Sequence, residues 1–508
     1  MTLLIKNVQI LGARQKMPDL AFEAGASATA KEAPADVFVS GNKISAIGSF
    51  SRKPADHVID GRGSSLAPGF IDIHTESDHF LSLFDQPSQE DFLRQGVTTT
   101  IGGHDGVSLA PLLSGELELI SRWTHPHRKN ADWRTVEEYL AVLDRRGIGV
   151  NFGTLAGYRT LRRVVLGGEH RKLTAAELSV LLALFARSHK EGARGISFSA
   201  EDIFSDSATS KERDALRRAV SDFKGIYAVS FSGAIAVDHR AVRELLREMK
   251  DLPATLLFSH IPPGDTRRLL NLIKEHPRAY AAVSPSATRT LPLVSFLPHW
   301  AQKHTLPETL EGVRDPWLRE KMKKEMLPLD PARVTFVSAP HHRTLVGMTL
   351  RECMEMMEIE DPLDALLLAM EAMRCMGAVS YGESGEMDTA TWISHPRALI
   401  ASQSASVRDH HHLSMMPTPE GKTAFTNFLS LAEKEKSFSM ESAVRKLTAL
   451  PASLLGLADR GAIVPGHYAD LVGFSGSEIR FVIVNGKVAV REGKIVDARA
   501  GRALRTIA

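Results

Sequence analysis

Apolar and polar positions alternate at both ends of the chain and gather into short apolar runs through its middle. Residues 3–11 (LLIKNVQIL) and 36–49 (DVFVSGNKISAIGS) alternate with a period of two, as half-buried strands do. Gly41-Asn42 interrupts the second stretch and predicts a hairpin turn. The segment 12–35, rich in Ala and Glu, reads as a loop. At the other end, 469–474, 481–484 and 487–490 again read as short strands, with Asn485-Gly486 as the turn between the last two. Two strand-rich ends flanking a long middle predict one β-sandwich made from both chain ends.

The middle switches period repeatedly. Short apolar runs at 70–73, 96–101, 149–154, 195–199, 227–231, 255–258, 280–283, 334–338 and 398–401 read as buried strands. Between them, 134–146, 175–190, 208–223, 237–250, 265–276, 348–358, 361–375, 421–434 and 439–450 carry helical patterning. Strand–helix alternation over this length predicts α/β architecture closed as a (β/α)₈ TIM barrel. The stretch 290–330 lacks strand patterning and is rich in helix formers broken by Pro, so a small helical insert is expected there. The expected division is 1–64 for the first part of the sandwich, 65–458 for the barrel with its insert, and 459–508 for the second part of the sandwich.

Composition narrows the classes. A chain of 508 residues, 43% hydrophobic and 24% charged, has the make-up of a soluble globular protein. Net charge is +2 and only 6% of residues are aromatic, with no basic stripe among them, which argues against nucleic acid as a partner. Two cysteines, Cys353 and Cys375, imply no disulfide framework and fit a reducing compartment. Neither a signal core nor a spanning apolar run is evident, so a cytoplasmic location without membrane contact is expected.

Candidate chemistry sits where the strands end. His74 and Glu76 close the run Phe70-Ile71-Asp72-Ile73, which follows the Pro68-Gly69 turn. Side chains at i and i+2 of a strand point the same way. Both therefore reach one point beyond the strand's carboxyl end, where a barrel of this kind places its site. His104 follows the next strand between glycines that allow close backbone approach. His260 ends the strand at 255–258. Asp105, Glu201, Asp202 and Glu383 add carboxylates near strand ends or loops, and Arg289 and Arg408 are cations able to bind a substrate carboxylate. The run His410-His411-His412 lacks the i, i+4 spacing of a helical metal site and reads as surface loop.

The stretch "APGFIDIHTESD" resembles the first-strand motif PGFID-x-H-x-H of the amidohydrolase superfamily, and most of all its N-acyl-D-amino-acid deacylase (D-aminoacylase) branch. "GVTTTIGGHDGVSLAP" resembles that branch's GNCG-x-S-x-AP loop, whose metal-binding Cys is read here at His104. "ATLLFSHIPPGD" keeps the branch's His at His260. "GIYAVSFSGA" is similar to a Y-x-x-H-x-R step, but Ser230 stands at the His and Ser232 at the Arg. "SHPRALIASQS" is similar to the strand before G-S-D-G, with Gln403 in place of the proton-shuttling Asp. The likeness runs collinearly over about residues 3–505.

The resemblance implies a hydrolase of non-peptide C–N bonds that binds one divalent metal, zinc, through some of His74, Glu76, His104 and His260. The implied substrate is a small N-acylated amino acid, with Ser230, Arg289 and Arg408 as candidate contacts. Gln403 has no titratable proton, so the catalytic set becomes Glu76, Asp105 and Gln403, with Glu76 the nearest replacement base. The same substitutions raise an alternative, a metal-free barrel acting as a binding or assembly partner. Oligomeric state is left open.

Overall fold

The protein is described from a computed structural model. It describes all residues except 13–33, 51–52, 113–116, 121–123, 125–130, 168, 170, 201, 203–207, 232–236, 286–287, 303–305, 341, 383–391, 409–418, 436–437 and 506–508.

Eight short strands make the barrel: Phe70–Asp72, Val97–Gly102, Asn151–Thr154, Gly195–Ser199, Ile226–Ser230, Thr255–Ser259, Ala279–Val283 and Ala398–Ile400. All pairings between neighbours are parallel. Between the third and fourth, the chain continues through Ala156–Gly157, which pairs with Ile196 and Ser197. The first and last strands meet just past their ends, where Gln403 N–H donates to His74 O (3.1 Å) and Glu76 N–H to Ser404 O (2.8 Å).

The period of two sorts the strand side chains. Ile71, Ile101, Ile226, Ala228, Leu257, Tyr280, Ala282 and Leu399 form one buried cluster, the barrel interior. Their neighbours Phe70, Tyr227, Val229, Leu256, Phe258, Ala281 and Ile400 belong to the larger core shared with the helices. Strands buried on both faces read as continuous apolar runs, which is why the sequence pattern located them. Several helices start on an N-cap that the chain supplies locally: Thr135, Thr174 and Thr349 each form a reciprocal capping box with Glu138, Glu177 and Glu352.

The sandwich is built from both chain ends, as expected. Thr2–Ile10 pairs antiparallel with Ala35–Ser40 and parallel with Ser65–Pro68. Leu471–Ser475 then pairs antiparallel with Ser65–Pro68 and continues through Glu478–Val484 to Lys487–Arg491. Both predicted hairpin turns form. Ser40 pairs with Lys43 around Gly41, and Asn485 and Gly486 adopt φ of 47° and 80°.

The insert is larger than the 290–330 expected and is not purely helical. Thr288–Pro292, Val334–Ser338 and Ala378–Gly382 form a separate three-stranded antiparallel sheet. With the helices Leu306–Arg314, Pro316–Glu325, Leu350–Met357 and Pro362–Ala372 it encloses its own core, including Leu293, Phe336, Leu366 and Met370. The run 334–338, expected in the barrel, therefore belongs to the insert. Its alternation looks alike in either sheet; only pairing tells them apart. Among the described residues no helix is long and apolar enough to cross a membrane.

Candidate metal centre

The mouth of the barrel gathers side chains from three strand ends. Donor atoms of His74, Glu76, Asp105 and His260 all lie within 4.8 Å of one another. His74 and Glu76 follow the first strand, Asp105 the second and His260 the sixth. His260 Nε2 is 3.2 Å from a Glu76 carboxylate oxygen and 4.0 Å from one of Asp105. His74 and His260 meet edge to face, with ring centres 4.7 Å apart. His74, Glu76 and Asp105 are buried, and His260 nearly so.

The backbone is strained where it presents these groups. Asp105, His260 and Gln403 all adopt left-handed φ, of 56°, 50° and 49°. Such conformations are uncommon for residues with a Cβ and collect at functional sites. Asp72 supports the seam below: its carboxylate accepts from His74 N–H (3.1 Å), Ser402 N–H (3.2 Å) and the Ser402 hydroxyl. Burial pushes its pKa up to about 7.

His104 lies against the cluster but outside the four-donor set. Its ring stacks on that of His74 at 3.7 Å between centres, and its Nε2 lies 2.9 Å from Ile73 O. A carbonyl only accepts, so Nε2 carries the proton and Nδ1 keeps its lone pair. Burial holds the His104 pKa down to about 3 and takes that of His74 well below the usual imidazole value, with neighbouring imidazoles adding to the effect on His74. Both are neutral rings, the form that binds metals. His79 differs: burial disfavours its charge, yet Asp78, Asp105 and Glu76 together raise its pKa.

The donors fit a divalent cation. Both ring nitrogens of His74 and Nδ1 of His104 are buried without a hydrogen-bond partner. Buried polar atoms are ordinarily satisfied, and each left bare costs about 1–3 kcal/mol. Two buried carboxylates beside neutral imidazoles make an N/O donor set suited to zinc and its neighbours.

Not every sequence candidate arrives here. Ser230 is buried at its strand end, in register with Ser199 and Ser259, so three serines cross the mouth side by side. Gln403 lies at the last strand's end, and its Nε2 donates to Ala282 O at 2.7 Å. Asp202 accepts from Arg159 Nε (2.8 Å) and from Ser199 N–H (3.0 Å). Arg408 pairs with Glu90 and lines a cavity of about 330 Å³ that none of the four donor residues borders. Arg289 lies on Thr288–Pro292 of the insert, with its side chain outside the described part. Ser232, Glu201, Glu383 and His410 to His412 fall outside the described residues.

The sequence reading puts Asp105 in the catalytic set and His104 among the metal ligands, whereas Asp105 is the second strand's contribution to the four-donor set. A signal for it was present. In GNCG-x-S-x-AP the Cys directly precedes Gly-x-Ser-x-Ala-Pro. The residue directly before Gly106-Val107-Ser108-Leu109-Ala110-Pro111 is Asp105, one place beyond His104.

No family model matches the chain. Over 461 residues it is 28% identical to an N-acyl-D-aspartate deacylase of Alcaligenes xylosoxydans xylosoxydans, covering 87% of this chain and 82% of that relative. A D-aminoacylase of the same organism is 26% identical over 492 residues, covering 92% and 93%. The crystal structure of a D-aminoacylase superposes with a TM-score of 0.72 at 23% identity, covering 99% of both chains. An N-acyl-D-glutamate deacylase from Bordetella bronchiseptica, solved with zinc and a phosphonate inhibitor, superposes at 0.73 and 22% identity, again over 99% of each. The fold is that of these amidohydrolase structures, a barrel joined in this chain to a sandwich built from both chain ends. Within that class, the chain resembles the D-aminoacylase branch over nearly its whole length.

Proposed function

We propose that this chain is a metal-dependent amidohydrolase that cleaves the amide bond of a small N-acylated amino acid, using a donor set altered from that of the deacylases it resembles. The observation that carries the reading is the convergence of His74, Glu76, Asp105 and His260 at a barrel mouth, beside imidazole nitrogens buried without partners. These four residues would hold one divalent ion, zinc by analogy with the solved deacylase, and His104 Nδ1 is a further donor beside them. When bound, the ion would polarise the acyl oxygen and bring the pKa of water from 15.7 to about 7.

The chain's own residues supply the rest. Gln403 cannot titrate, so moving the proton from attacking water to leaving nitrogen falls to a carboxylate of the cluster, Glu76 or Asp105. Gln403 instead has a fixed amide. Its Nε2 is tied to Ala282 O, which leaves Oε1 as the end able to accept a substrate N–H. Ser230 and Ser259 bring neutral hydroxyls to the mouth, while the Ser199 hydroxyl is engaged by Arg159 Nη2 (2.6 Å) and Asp202 (3.0 Å).

Metal analysis of the purified chain, paired with turnover of N-acyl-D- and N-acyl-L-amino acids, tests this. About one zinc per chain is expected, with amino-acid release that stops on chelation and returns when Zn²⁺ is restored. A chain that stays metal-free after zinc-supplemented expression and turns over neither series would favour a metal-free binding role, for which Ser230 and Gln403 are the motive.

A further inference from the structure

We propose that Ser197 is the positioning residue that holds the Asp105 carboxylate in the donor cluster, because its hydroxyl bridges both ends of the turn that carries Asp105. The inference rests on the metal-dependent reading above and concerns a residue outside the donor set.

Asp105 sits in a turn with little intrinsic reason to persist. Gly103, Asp105 and Gly106 all have left-handed φ, of 74°, 56° and 75°. Glycine tolerates this and an L-residue resists it, so Asp105 stays only if the turn is held at its ends. Ser197 holds them both. Its Oγ donates to Gly103 O at 2.5 Å and accepts from Gly106 N–H at 3.2 Å. A hydroxyl has one proton and two lone pairs and can serve both ends at once. Alanine serves neither.

Other contacts complete the grip but touch one end each. Asp78 accepts from Gly103 N–H at 2.7 Å. Arg159 N–H donates to Gly106 O at 2.7 Å. At Gly103 an added Cβ would lie 2.2 Å from Leu155 O, and at Gly106 the left-handed φ of 75° resists any side chain.

Ser197 is the middle residue of Gly195–Ser199, fully buried and paired in register with Gly157 on one side and Ala228 on the other. A buried barrel strand calls for an apolar residue at such a place. The hydroxyl makes sense through its two bonds to a turn from another strand. Holding a metal ligand through its backbone is an outer-shell role, and losing such support costs about 10–100-fold in metal affinity.

The test compares Ser197→Ala and Ser197→Thr with the parent, all stripped of metal and titrated with Zn²⁺ against a chromophoric chelator. Each is also loaded with Co²⁺ and read by its visible absorption, and the thermal midpoint of each metal-free protein is recorded. Ser197→Ala should bind Zn²⁺ about 10–100-fold more weakly and show a shifted Co²⁺ spectrum, while Ser197→Thr, which keeps the hydroxyl, recovers most of both. If Ser197→Ala does not fold, Ser197→Cys, with a thiol in place of the hydroxyl, enters the same comparison. A lowered midpoint with parent-like Zn²⁺ affinity and Co²⁺ spectrum would mean a purely structural serine and would overturn the proposal alone. A parent that takes up no Zn²⁺ would overturn the functional reading, and this proposal with it.

Discussion

On the proposed reading Gln403 takes the place of a proton-shuttling carboxylate, and it is the residue whose replacement is most informative. Its backbone N–H is bonded to His74 O and its side chain to Ala282 O, so the position is fixed relative to the cluster. Gln403→Asp would return a titratable group to a built position. With Glu76 or Asp105 moving the proton, the added acid gains nothing and the fixed amide is lost, so kcat for N-acyl-amino-acid hydrolysis should fall; a missing acid–base group would instead be worth about 10²–10⁴-fold once supplied. Steady-state kinetics decides it: a faster variant would mean that neither Glu76 nor Asp105 carries the proton in the parent and that the site had lacked its shuttle. Legibility at this scale followed geometry. His74 and Glu76 were readable because i and i+2 of a strand share a direction. For Asp105 the signal lay in its place before Gly-x-Ser-x-Ala-Pro and not in strand geometry, because its position depends on a left-handed turn held by a serine from another strand. Arg408 pairs with Glu90, a partner remote in sequence that patterning does not reveal.

Single elements dock through contacts that patterning does not reveal. The helix Met440–Leu447 presents an apolar face, yet Lys446 is buried with it. Its Nζ donates to His395 O (2.6 Å) and Ala398 O (3.2 Å), tying the helix to the start of the last barrel strand. Burial lowers the Lys446 pKa from 10.5 to about 7. Between those two values the unfolded chain binds the proton and the folded chain does not, so this group makes stability rise with pH through that window. Lys446→Met removes the dependence. The stability of the parent relative to the variant should therefore grow from pH 7 to 10, with a slope of up to about 1.4 kcal/mol per pH unit. Denaturant unfolding of both chains at pH 6.5, 8 and 9.5 measures it, and parallel profiles would show that Lys446 keeps its proton. Most helices and strands were legible because each buries one periodic face. The strand Val334–Ser338 was assigned to the wrong sheet because its own five residues carry no record of their neighbours.

At the scale of the whole molecule, the two chain ends do more than make a sandwich. The barrel's third and fourth strands pair through Ala156–Gly157 and through the bond from Arg194 N–H to Thr154 O (2.9 Å). Below that point the C-terminal segment lies along the third strand. Gly501 N–H donates to Ile148 O, Phe152 N–H to Arg502 O and Leu504 N–H to Phe152 O, and the Arg194 side chain of the fourth strand's approach reaches Arg505 O. Leu504 is buried in the barrel-interior cluster. A second tie runs from Asn151 to Asp470 (3.0 Å) and Asn485 (2.7 Å), with Arg460 paired to Asp470 in the same buried network. Barrel and sandwich therefore share one buried, hydrogen-bonded interface, a long-range feature that local patterning cannot register. Ending the chain after Arg499 should remove three backbone hydrogen bonds and the burial of Leu504. At about 1 kcal/mol per bond and about 2 kcal/mol for the leucine, the loss is about 5 kcal/mol. That is a large fraction of the roughly 5–15 kcal/mol that folded domains possess. Calorimetry should show one transition shifted several degrees lower, not an early sandwich transition ahead of an unchanged barrel. Two separated transitions would mean that the ends are appended to the barrel, and an unshifted midpoint would mean that the third and fourth strands close without them.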